Sequence, residues 1–211
     1  TVPSADNYDG YANCDDGSCI ICDSSTGEIT DPSGSLTGPL FTASGLSQVN
    51  ATVNASNVPQ SDGILSFTAN MMNTALPFLE VDGTQSYTWT LIGLTTAGDI
   101  STSTGTVASQ TGLAVTTFGG SPSHTFTGLP YGHYAIKVQL IDNDESHGLE
   151  PCYTYFYLTV KVPVCTNTNA TNYNSSSVPM DFWISDPSLC TFPQNCCNVG
   201  TVLEDTTVKG T

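Results

Sequence analysis

The chain has 211 residues, and only 10 % of them are charged, against roughly 25 % in ordinary globular domains. Three lysines (Lys137, Lys161, Lys209), no arginine and nineteen acids leave a net charge of −16. That balance excludes a nucleic-acid binder, since phosphate neutralisation needs lysine and arginine, and makes cations the natural small partners.

This length predicts one to two domains, and 38 % hydrophobic content supports one core with small satellites. Residues 1–36 read as a cysteine-rich N-terminal arm. Asp6-Asn7-Tyr8-Asp9-Gly10, Cys14-Asp15-Asp16-Gly17-Ser18-Cys19 and Asp31-Pro32-Ser33-Gly34 are turn formers without apolar periodicity. Such a segment needs covalent staples to hold a shape. Residues 37–163 switch to short alternating runs. Leu65, Phe67 and Ala69 fall on one face. Residues 70–76, ending at Pro77, form the best helix window and a short one. Tyr87, Trp89 and Leu91 alternate with Thr88 and Thr90, and Leu113, Val115 and Thr117 make a weaker run. A strand over 134–141, an acidic loop and a strand over 152–162 close the series. Period-two runs of β-branched and aromatic residues are the strand signal. The expected fold is all-β: an immunoglobulin-like β-sandwich flanked by two small disulfide-rich, loop-rich arms. Residues 164–211 form the second arm and a tail.

Two details sharpen the expectation. Trp89 sits where such sandwiches bury a tryptophan, and Leu129-Pro130-x-Gly132-x-Tyr134 matches a corner in which a tyrosine hydroxyl ties back to nearby backbone. Cys152 is the only cysteine between Gly38 and Pro163, which rules out the inter-sheet disulfide of antibody domains. Trp89 is therefore expected to pack on aliphatic side chains.

Eight cysteines are present: Cys14, Cys19, Cys22, Cys152, Cys165, Cys190, Cys196 and Cys197. An even count clustered near the ends predicts disulfides and an oxidising compartment. The expected location is extracellular or at the cell surface. No run of about 20 apolar residues exists, so no membrane insertion is expected. No signal peptide is visible, and Thr1 lies in mid-motif, which predicts processing or further chain upstream. Four sequons stand at Asn50, Asn54, Asn169 and Asn174. They read either as covalent glycan sites or as chance in a chain rich in Asn, Ser and Thr.

The two arms repeat one another. Ala5-Asp6-Asn7-Tyr8-Asp9 matches Ala170-Thr171-Asn172-Tyr173-Asn174, and Asp15-Asp16-Gly17-Ser18-Cys19 has a looser counterpart in Asp186-Pro187-Ser188-Leu189-Cys190. These residues resemble a cysteine-bounded Ala-x-Asn-Tyr…Asp-Asp-Gly-Ser-Cys motif of secreted and surface proteins from Bacteroidetes and their phages. Phe126-Thr127-Gly128-Leu129-Pro130-Tyr131-Gly132-His133-Tyr134 is similar to a stretch of the immunoglobulin-like repeats in those proteins. The resemblance covers most of 1–22 and 125–190. It implies a surface or filament component without known catalysis, and a Cys165–Cys190 bond closing the second arm. On the same pattern Cys19 lacks its usual partner and takes Cys14 or a cysteine of another chain. Adjacent Cys196 and Cys197 should face two different partners, because a vicinal disulfide strains the peptide. Cys22, Cys152 and a neighbouring subunit are the options.

Zinc on Cys19-x2-Cys22 with Cys196-Cys197 has the donors but not the spacing of common zinc modules. Calcium fits better. Asp142, Asp144 and Glu145 crowd one loop, and Asp9, Asp15 and Asp16 crowd the first arm. A solvated acidic turn is the competing reading of each cluster. No cofactor is required. His124, His133 and His147 lie in turns or at strand ends without a nucleophile elbow, so no enzyme is expected. Tyr153, Tyr155 and Tyr157 form a stripe that suits stacking on sugars or on a neighbouring subunit, and equally suits an exposed strand. The expected function is a structural subunit of an extracellular, glycosylated fibre or surface assembly. It would be a homo-polymer built head to tail through its arms, with residues 198–211 available as an exchanged strand. The alternative is an adhesin or carbohydrate-binding immunoglobulin-like module of a larger cell-surface or phage protein.

Overall fold

The computed structural model describes residues 21–23, 28–30, 37–39, 41–71, 85–114, 123–142, 153–174 and 177–193. Among them the chain is all-β, with three short 3-10 turns and no α-helix. Three short strands come first: β1 (Ile21–Asp23), β2 (Glu28–Thr30) and β3 (Thr37–Pro39). They form an antiparallel meander. No apolar alternation announced it, because three-residue strands are too short to show a period.

Two larger sheets carry the body. One joins β4 (Phe41–Val49), β5 (Gly63–Met71) and β8 (Ser123–Leu129) in the order β4-β5-β8. The other joins β6 (Gln85–Leu94), β7 (Ser103–Ala114), β9 (Gly132–Asp142) and β10 (Tyr153–Val160) in the order β10-β9-β6-β7. All pairs in both sheets are antiparallel. The inner faces meet in one core. Leu65, Phe67, Ala69, Phe126 and Leu129 come from the first sheet, and Trp89, Leu91, Tyr134, Ile136, Val138 and Val160 from the second. Each large apolar side chain buried there contributes about 1.5–3 kcal/mol. A Cβ at Gly63 would lie 2.7 Å from Val160 Cγ1 and 2.8 Å from the Leu129 carbonyl oxygen. Only glycine fits that close approach between the sheets.

The corner expected at Tyr134 is present. Its hydroxyl donates to the Pro130 carbonyl at 2.8 Å, while its ring is buried. The packing of Trp89 differs from expectation. Its ring meets the Phe67 ring edge-on at 4.5 Å and stacks near His124 at 6.3 Å. An aromatic cluster spanning both sheets thus does part of the filling assigned to aliphatic side chains.

Strand boundaries differ in three places. Residues 70 and 71 of the helix window continue β5, and residues 72–76 lie outside the described residues. Leu113 and Ala114, where the weak run begins, end a strand that starts ten residues earlier, at Ser103, and residues 115–117 lie outside the described residues. The strand expected over 152–162 breaks at Lys161. There Ala51 N–H donates to the Lys161 carbonyl, and Lys161 N–H donates to Asn50 Oδ1. The chain leaves the sheet, and β11 (Val162–Val164) pairs in parallel with β12 (Trp183–Ser185).

Candidate functional site

The tyrosine stripe lies on β10, at the edge of the four-stranded sheet. Side chains alternate across a strand, so Tyr153, Tyr155 and Tyr157 point outward while Thr154 and Val160 are buried. Adjacent rings touch, with centroids 5.4 Å apart for Tyr153–Tyr155 and 6.3 Å for Tyr155–Tyr157. Lys137, opposite Tyr155 in register, places Nζ 4.1 Å from the Tyr153 ring centroid. This cation–π contact lies on the face predicted for tyrosine stacking. Sequence reading missed Lys137; its outward position on β9, in phase with Ala135 and Gln139, was the available signal. Burial, with help from the flanking phenols, raises the pKa of Tyr155. Burial, then the Asp99 carboxylate, raises that of Tyr157. Both shifts favour the neutral phenols of Tyr155 and Tyr157.

The second region is the module after β10. Cys165 and Cys190 are disulfide-bonded, with Cα atoms 5.0 Å apart, the pairing that the motif implies. The other conspicuous residues of the motif clamp the closed loop. Asn172 Nδ2 donates to the Leu189 carbonyl and its Oδ1 accepts from Thr191 N–H, both at 2.7 Å, on either side of Cys190. Asn174 Nδ2 donates to the Val178 carbonyl while its Oδ1 accepts from Val178 N–H, each at 3.1 Å. Ala170 is buried, and Tyr173 packs edge-on against Trp183 at 5.9 Å. Asp186 accepts from both Ser188 N–H and Ser188 Oγ–H, which occupies a carboxylate oxygen within the protein. Val178 joins the main core. Phe182 covers His133 at 4.6 Å and Tyr131 at 5.3 Å, while His133 Nδ1 lies 2.8 Å from Thr159 Oγ1. The disulfide thus closes the module on itself, while the core position of Val178 and the packing of Phe182 on Tyr131 and His133 hold it to the sandwich.

The remaining predicted sites divide. Asp142 ends β9, and Asp144 and Glu145 lie outside the described residues. So do Cys14, Cys19, Cys152, Cys196 and Cys197, together with Asp9, Asp15, Asp16 and His147. Cys22 lies in β1. Among the described residues no group of three or more His, Cys, Asp or Glu side chains could hold a metal ion, and no helix is long and apolar enough to cross a membrane. His124 contacts Trp89 and Phe126, and His133 sits under Phe182. The structure therefore uses both as packing groups. A recess lined by Asn57, Pro163, Cys165, Asn174 and Leu189 encloses about 10 Å³, room for about one water. No family model, curated protein or solved structure matches this chain.

Proposed function

We propose that the chain is a structural subunit of an extracellular, glycosylated fibre or surface assembly, polymerising head to tail through its cysteine-rich ends. The observation that carries this reading is the closed C-terminal module. It is stapled by Cys165–Cys190, paired through β11 and β12, and rooted in the core by Val178. Such a module moves with the sandwich as one body and passes load to whatever it contacts. Related motifs at opposite ends suit a heterologous, open-ended contact, the kind that generates filaments. An immunoglobulin-like sandwich is the fold reading favoured by three- and four-stranded sheets sharing a core that contains a tyrosine corner and a central tryptophan. The disulfide supports an oxidising compartment, and the resemblance to Bacteroidetes and phage surface proteins points the same way.

A second reading, a carbohydrate-binding or adhesin module, is favoured by one observation: three outward tyrosines in ring contact beside Lys137. Non-reducing and reducing gels with intact mass separate the two. A fibre subunit gives a multimer ladder that collapses on reduction. A monomer under both conditions that binds immobilised glycans, and loses binding in Tyr155→Ala, establishes the adhesin instead.

A further inference from the structure

We infer that Asn54 is the sequon that accepts a glycan on the folded protein, and that folding closes Asn50, Asn169 and Asn174. This rests on the reading of the chain as a secreted glycoprotein. It goes further by naming the acceptor.

A transferase must reach the asparagine carboxamide and the hydroxyl two residues on. Asn54, Ala55 and Ser56 are all exposed, at the tip of a loop closed by the Val53–Pro59 bridge. Asn54 Oδ1 accepts from Ser56 N–H at 2.9 Å and Val58 N–H at 3.0 Å. These bonds hold the loop and aim Nδ2, which makes no hydrogen bond, at solvent. In the transfer, Nδ2 attacks C1 of a sugar carried on a polyprenyl pyrophosphate. The N–C1 bond forms, the C1–O bond breaks, its electron pair leaves on the phosphate oxygen, and Nδ2 gives up one of its two protons. Both bonds to Oδ1 survive, so the modified side chain keeps its place.

Each other sequon has a member committed to the fold. At the first, Asn50 Oδ1 accepts from Lys161 N–H, Ala51 is buried, and the Thr52 hydroxyl donates to Asp62. At the third, Asn169 is exposed, but Ala170 is buried and the Thr171 hydroxyl donates to the Thr191 carbonyl at 3.0 Å. At the fourth, Asn174 Nδ2 itself donates to the Val178 carbonyl, from a residue at φ +40°. Each must open before it can react.

The test uses the oxidised, folded full chain with a sequon-specific oligosaccharyltransferase and a polyprenyl-pyrophosphate-linked oligosaccharide, its activity verified on an acceptor peptide. Occupancy is read by glycopeptide mass spectrometry. Asn54 should exceed each other sequon at least about tenfold, equivalent to about 1.4 kcal/mol, the scale of one net hydrogen bond. Asn54→Gln and Ser56→Ala should each abolish most of the incorporation. The reduced, alkylated chain should label all four sequons. An absence of sugar at Asn54, or folded-state occupancy elsewhere that equals it, overturns the inference. Fibre formation is scored separately: multimers without sugar at Asn54 would refute this inference alone, and sugar at Asn54 on a strict monomer would refute the fibre alone.

Discussion

Tyr134→Phe isolates the corner that joins β8 to β9. The substitution keeps the buried ring and removes only the hydroxyl that donates to the Pro130 carbonyl at 2.8 Å. Pro130 is exposed, so its freed carbonyl regains water. The loss is then the net worth of a hydrogen bond, about 1 kcal/mol, and not the larger penalty of a buried orphan. For a chain of this size that lowers Tm by about 3 °C. The rest of the contact should survive, because the ring tip lies across Gly132, where a Cβ would sit 3.4 Å from Cε2, Cζ and the hydroxyl. Alkaline pH supplies an independent signature. Burial pushes the Tyr134 pKa up to about 12 from the ordinary 10. The raised value means that this phenol's contribution is complete below pH 10 and is lost as pH rises through about 12. The variant has no phenol to ionise there. Urea titrations at pH 7 and at steps above pH 10 should show the wild-type advantage shrinking with pH. No loss at pH 7, or an advantage that grows with pH, would refute the reasoning.

Three further outcomes follow from the packing. Thr154 is buried, and its Oγ1 has no hydrogen-bond partner. Thr154→Val should therefore stabilise the fold by about 1 kcal/mol, seen as a higher urea midpoint at unchanged slope. The Cys165–Cys190 bond closes a sequence separation of 25. Replacing both with serine should cost about 3.5 kcal/mol by the chain-entropy relation; hydrogen exchange should show protection lost first over 165–190. Burial holds the His124 pKa below its ordinary 6.5, so its neutral form is favoured in the fold. Its contribution is present above pH 6.5 and lost as pH falls below that, and a His124→Gln variant should show a shallower decline in urea midpoint between pH 7 and 5.

The parts legible in the sequence were those with a clean period. Residues 132–142 and 153–160 alternate apolar and polar side chains, so β9, β10 and the tyrosine stripe could be placed before any coordinates. β4 and β7 were hidden. Of the nine residues of β4 only Phe41 is buried, and residues 103–109 of β7 are exposed except for the half-buried Ala108. Such strands, rich in Ser, Thr, Gly and Ala, show no regular apolar alternation in the sequence. The break at Lys161 was equally invisible, since Val160 and Val162 stay in phase while Asn50, 111 residues away, draws the backbone aside. Cross-sheet partners such as Phe67 for Trp89, and the contact of Lys137 with Tyr153, depend on register that no local pattern states. The sequons illustrate the same limit. All four fit the same Asn-x-Ser/Thr motif, and only folded-state burial and hydrogen bonding tell Asn54 from the rest.

Electron microscopy of the native, oxidised full chain across a concentration series tests the central claim most directly. The account predicts open-ended filaments whose axial repeat is one chain and which disassemble on reduction. Discrete single particles of 22.1 kDa at every concentration, with or without reductant, would contradict it.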